Sequence, residues 1–170
     1  MSPSLLLIQV GTDDREMYAD YLTQQGLRVM EAATTDAALP LIPDVDVIIT
    51  GLMVPGAVPP IELIARIRRD PRTATKPVIA LTACVLPEMR DRSWRAGADV
   101  FLLKPCLPDM LLREVRRVVQ MPVGRAPRER RQTPDRRATW RGGRRESDRF
   151  GPFRVTPSLP QGPEAQYRPR

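Results

Sequence analysis

The sequence predicts an α/β domain, a doubly wound five-stranded parallel sheet with five helices, followed by a disordered basic C-terminal tail. Three observations lead there. Through the first 121 residues, short apolar runs alternate with amphipathic stretches, the pattern of a parallel sheet covered by helices. No apolar run in the 170 residues approaches the length of a membrane span. The charge is also divided: residues 1–121 hold 14 Lys+Arg against 15 Asp+Glu, net −1, whereas residues 122–170 hold 13 Arg against 5 acids, net +8. The +7 of the whole chain therefore describes the tail.

The elements follow in order. Residues 5–10 read as a buried strand opening on Leu5-Leu6-Leu7-Ile8. Residues 13–25 read as a helix: Asp13 with Glu16 makes a capping box, Met17, Tyr21 and Leu22 share a face, and Gly26 terminates it. Residues 27–32 form a short second strand, and residues 35–42 a weak helix interrupted by proline. Residues 45–50 are a central strand, followed by a turn at Pro55-Gly56. Residues 61–69 are a helix with Ile61, Ile64 and Ile67 on one side. Residues 77–82 are the fourth strand, 86–96 a helix stopped by Gly97, and 100–103 the fifth strand. The last helix, 108–119, starts on proline and turns Leu111, Leu112, Val115, Val118 and Val119 inward. The folded stretch thus covers residues 4–121.

Residues 122–170 hold 8 of the 19 prolines and 5 of the 10 glycines, with scattered large apolar side chains that follow no period. Such a composition buries too little apolar surface to offset the entropy of ordering it, which predicts disorder. With no histidine anywhere, histidine general bases and histidine metal ligands are excluded, and two cysteines cannot build a four-thiolate zinc site. No signal peptide is recognisable, so the expectation is a cytoplasmic protein that does not enter a membrane.

In doubly wound sheets the functional crevice lies at the carboxyl ends of the strands. There stand Gly11-Thr12, Gly51, Thr82-Ala83 and Lys104-Pro105. The segment from Asp46 to Pro55-Gly56, the Pro77 to Ala83 strand, and Ala96-Gly97-Ala98-Asp99 running into Phe101 and Lys104-Pro105 occur in an order and spacing that resemble the receiver domain of two-component response regulators, a flavodoxin-like fold, over roughly residues 4–120.

The resemblance implies an aspartate at the end of strand three that accepts a phosphoryl group from a histidine kinase. It also implies two acids after strand one that hold magnesium, a Ser/Thr after strand four and a lysine after strand five. In this chain the phosphoacceptor position is Gly51, so no phosphoacceptor is expected there. Counting back from Arg15-Glu16 places the acidic pair on Val10 and Gly11. A slide of three or four residues would bring Asp13-Asp14 to the metal, at the cost of pushing strand one outward. Thr82 and Lys104 retain the family's pocket residues, and Phe101 stands at its switch-aromatic position. Lys104-Pro105 is where the resemblance implies a cis peptide. No metal, cofactor or catalytic residue is expected.

Thr82 and Lys104 could form a locally positive pocket for an anion; the simpler reading makes Thr82 a strand-end residue and turns Lys104 to solvent. Cys84 and Cys106 are expected to be free thiols rather than a redox pair. In the tail, paired arginines including Arg136, Arg137, Arg144 and Arg145 are candidate anion contacts, and Trp140 could stack on a base.

The leading expectation is a stand-alone signalling protein of two-component (phosphorelay) type, not an enzyme and not phosphorylated. It would contact a histidine kinase or an output protein through the face made by helix four, strand five and helix five. The alternative is a nucleic-acid-associated regulator in which the tail binds DNA or RNA and the folded part forms a homodimer.

Overall fold

A computed structural model describes residues 2–120. The expected tail, including the candidate contacts Arg136, Arg137, Arg144 and Arg145 and Trp140, lies outside the described residues. The observed elements are β1 (Ser4–Ile8), α1 (Thr12–Gln24), β2 (Arg28–Ala32), α2 (Thr35–Ala38), a 3-10 turn (Leu39–Asp44), β3 (Val47–Thr50), α3 (Pro60–Arg69), β4 (Val78–Thr82), α4 (Pro87–Ala96), β5 (Val100–Leu103) and α5 (Pro108–Val119). The sheet is parallel with order β2-β1-β3-β4-β5, as a doubly wound fold requires.

Strand alternation sorts the core into two layers. Leu5, Leu7, Val47, Ile49, Ile79, Leu81 and Leu102 meet Tyr18, Leu22, Leu111 and Val115 from α1 and α5. Leu6, Ile8, Ile48, Val78, Ala80 and Phe101 face the other way, toward Leu63, Ile64 and Ile67 of α3. The central strands are buried on both faces, which is why they read as continuous apolar runs.

Several local expectations are corrected. The capping box does not form: α1 begins at Thr12 after Gly11, and Asp13 and Asp14 lie inside its first turn. Its inner face is Tyr18, Ala19 and Leu22, whereas Met17 is exposed. The expected helix over 35–42 is α2 followed by the 3-10 turn, because Pro40 and Pro43 withhold the N–H groups that a longer α-helix needs. Val119 is exposed at the end of α5. Gly97 ends α4 with φ 109°, a left-handed conformation that glycine alone adopts without strain.

Candidate functional site

The carboxyl ends of β1, β3, β4 and β5 lie side by side. Gly51 follows β3, and its N–H donates to the Ile8 carbonyl at 2.8 Å, holding the ends of β3 and β1 in register. A Cβ at this position would stand 3.0 Å from Val54 Cγ2 and 3.2 Å from Gln9 Oε1. The space beside Gly51 is thus already taken up by two side chains.

Gln9 is the residue that enters the pocket from β1, and Val10 and Gly11 are corrected accordingly. The strand ends at Ile8 and alternation turns the next side chain inward, so Gln9 is buried while Val10 and Gly11 are exposed. Gln9 Nε2 donates to the Leu81 carbonyl at 3.1 Å, and Oε1 accepts from Lys104 Nζ at 2.9 Å. One neutral amide therefore joins the ends of β1, β4 and β5. A buried amide is tolerated because both of its ends are hydrogen-bonded.

Lys104 is directed inward rather than to solvent. Its ammonium also donates to Asp14 Oδ2 at 2.7 Å and stands 5.9 Å from the centre of the Tyr18 ring. Asp14 thus reaches the pocket from the first turn of α1, without any slide of strand one. Asp13 makes no such contact. The Tyr18 hydroxyl donates to the Cys106 carbonyl at 2.7 Å, tying α1 to the segment after β5. Burial, with smaller contributions from Cys106 and Asp14, pushes the Tyr18 phenol up to about 12. Arg15 completes this end: it donates to the Gln9 carbonyl at 2.9 Å and pairs with Glu31 at 3.2 Å.

Thr82 is buried, and its Oγ accepts the Cys84 N–H at 3.1 Å. Thr50 turns its buried hydroxyl onto the Gly51 carbonyl at 3.0 Å. Lys104-Pro105 is a cis peptide. Phe101 is buried, 6.5 Å between ring centres from Trp94 of α4. Cys84 and Cys106 are free thiols; burial raises the Cys106 pKa, and Asp109 and Glu114 add to the effect.

Chemically this pocket holds one cation already shared between an amide oxygen and a carboxylate. A magnesium ion demands several hard oxygen donors in a near-octahedral set. The strand ends supply a neutral amide from Gln9, an exposed valine and a glycine, and the one carboxylate that reaches in is bound to Lys104. These residues do not fit that ion. Sequence reasoning does not single out Gln9, Asp14 and Tyr18 for these roles. The signal for Gln9 is its place as the first polar residue after the Leu5 to Ile8 run, at the end of a doubly wound sheet where ligands bind.

Comparison with known proteins adds the family. Residues 6–116 match the response regulator receiver domain. Phosphate regulon transcriptional regulatory protein PhoB of Escherichia coli K12 is 31% identical over 122 residues, which cover 71% of this chain and 53% of that protein. The chain thus spans about half the length of the curated relatives it first matches. A solved structure described as a response regulator from Chloroflexus aurantiacus J-10-fl has a TM-score of 0.67 at 28% identity, covering 71% of this chain and 100% of that one. Chemotaxis protein CheY4 of Vibrio cholerae has a TM-score of 0.64 at 27% identity, covering 69% of this chain and 99% of that one.

Proposed function

The chain belongs to the response regulator receiver family of two-component signalling, and from that premise we propose that it signals by protein contact without phosphoryl transfer to position 51. The observation that carries this reading is Gly51, with Gln9 beside it. A phosphoryl acceptor needs a nucleophilic oxygen, which glycine lacks. The neighbouring Thr50 hydroxyl is buried on the Gly51 carbonyl. A transferring phosphoryl group also needs its charge neutralised. Here Gln9 is neutral and Lys104 is already paired with Asp14.

The contact surface in this reading is the face of α4, β5 and α5, where Leu103 and Met110 are exposed, and the partner is a histidine kinase or an output protein. Phe101, packed on Trp94, supports a face held in one arrangement. The test is to incubate the full chain with magnesium and acetyl phosphate and to record its intact mass. An unchanged mass is expected; an added phosphoryl group that maps to the β3 end would overturn the reading.

A second reading rests on the 13 arginines of residues 122–170. Arginine-rich segments bind nucleic acid through phosphate contacts, with an affinity that falls as salt rises. In that case the chain binds DNA or RNA in a salt-dependent way, and a chain ending at residue 121 loses the binding. Equal retention by both chains, measured by electrophoretic mobility shift, rejects it.

A further inference from the structure

We infer that four arginines on α3 and α4 bind the phosphate backbone of a nucleic-acid duplex. The site lies on the folded domain, so the inference goes beyond the reading that rests on residues 122–170. Its basis is a spacing that occurs twice: Glu62, Arg66 and Arg69 on α3, and Glu88, Arg92 and Arg95 on α4. In each, an acid is followed by arginines four and seven residues on. Positions i, i+4 and i+7 share one face of a helix, so each helix carries its two arginines in a row. All four are exposed. The residues turned inward are others, Leu63, Ile64 and Ile67 of α3 and Ser93 of α4. Arg68 holds the two rows side by side, donating from α3 to the Gly97 carbonyl at the end of α4 at 2.9 Å. Three residues of helix rise about 4.5 Å, and packed helices lie about 9 Å apart. One strand of a duplex carries a phosphate about every 3.4 Å along its axis, so an array of that size meets several at once.

Charge and surface chemistry select the ligand. A single carboxylate engages these four guanidinium groups: Glu62 pairs with Arg69 at 3.0 Å and with Arg66 at 3.6 Å. Both arginines stay more than half exposed, and an exposed pair of this kind contributes little, so phosphate can replace it. Arg92 and Arg95 form no ion pair among the described residues, and Glu88, in the first turn of α4, pairs with neither. The other acids nearby are taken: Asp99 by Arg68, Asp70 by Arg72 and Asp91 by Arg90. None of the exposed large apolar side chains lies within α3 or α4. A protein interface needs apolar anchors at its centre, and a membrane surface needs an apolar side to insert. A phosphate backbone needs neither. Arginine suits it, because the planar guanidinium fork takes phosphate oxygens in pairs.

The test titrates the full chain against fluorescein-labelled duplexes of about 25 base pairs, one of DNA and one of RNA, over a range of salt. Each phosphate contact adds about 0.9 to the slope of log K against log salt. The R92Q/R95Q variant is therefore expected to flatten the slope by about 2 on at least one duplex, and R66Q/R69Q/R92Q/R95Q by about 3. The R113Q/R116Q variant removes the same charge from α5, in the layer across the sheet, and should leave the slope as in the parent. The tail is common to all these chains, so its contribution cancels in the differences. Poly-glutamate should fail to displace the duplex. The inference is overturned if the full chain binds neither duplex, if R92Q/R95Q keeps the parent slope on both, or if R113Q/R116Q flattens it equally, which would reduce the effect to net charge. Displacement by poly-glutamate as readily as by unlabelled duplex also overturns it, in favour of an acidic protein partner. The truncation experiment reads out separately. Equal binding by a chain ending at residue 121 rejects the tail reading and leaves the array standing; binding lost on truncation with an unchanged slope in R92Q/R95Q does the reverse.

Discussion

The two ends of the sheet are built on different principles. At the amino ends of the strands, several charged side chains each make two or more hydrogen bonds. Arg68 alone donates to the Gly97, Ala74 and Lys76 carbonyls and to Asp99, whose carboxylate also takes the Val78 N–H. The aliphatic part of Arg68 lies so close to Gly97 that a Cβ there would stand 2.6 Å from its Cγ. Beside it, Lys76 donates to the Pro43 and Val45 carbonyls, and Asp46 takes both the N–H and the hydroxyl of Ser4. At the carboxyl ends, the Gln9 amide, the Lys104–Asp14 and Arg15–Glu31 pairs and the Tyr18 hydroxyl close the centre, and apolar loops are left facing out. This amino-end network lies away from the candidate site. The strand-end pocket can therefore lose its acidic residues without the fold losing its main polar ties.

Breaking the densest network gives the sharpest trial of that contrast. Arg68→Ala leaves the Asp99 carboxylate and three carbonyls short of a donor, and is expected to cost about 2 kcal/mol. Urea unfolding measures it, and a negligible change would erase the distinction between the two ends.

At the other end, Gln9→Ala strips the Leu81 carbonyl and Lys104 of one partner each, for about 1 kcal/mol. The same unfolding assay should rank it below Arg68→Ala. Asp14→Asn, at an exposed carboxylate, is expected to cost only a few tenths of a kcal/mol. A larger loss there would mean that the ion pair, and not the amide, holds the pocket.

The smallest effect is one of pH. Hydrogen bonds from the Ser4 backbone and then its hydroxyl hold the Asp46 carboxyl below its ordinary 3.8, and Lys76 and Arg28 add to the shift. Because the folded pKa is lowered, this stabilisation is present above 3.8 and is lost as pH falls through the folded value. Asp46→Asn should therefore unfold at lower urea than the parent at neutral pH, and the gap should close in strong acid. A gap that persists in acid would assign the effect to packing.

Much of the fold is legible in the amino-acid sequence. The apolar runs of β1, β3 and β4 are buried on both faces and bounded by turns, so their period and length carry the fold class. Gly51 is legible too, because it sits at a fixed distance before Pro55-Gly56 in a recognisable segment. The helix face of α1 is harder to read: Met17 and Tyr18 are both large and adjacent, and only packing against Cys106 and the core selects Tyr18.

The sequence by itself determined the doubly wound sheet, the divided charge and the absence of a side chain at position 51. These depend on local periodicity and composition, which the chain carries wherever it folds. Only the tertiary structure decided that Gln9, rather than Val10 or Gly11, fills the pocket, and that Asp14 neutralises Lys104. Those partners lie 95 and 90 residues apart in the chain, at strand and helix ends where no period runs. Their meeting is set by how β1, β5 and α1 pack together, which no stretch of local sequence records.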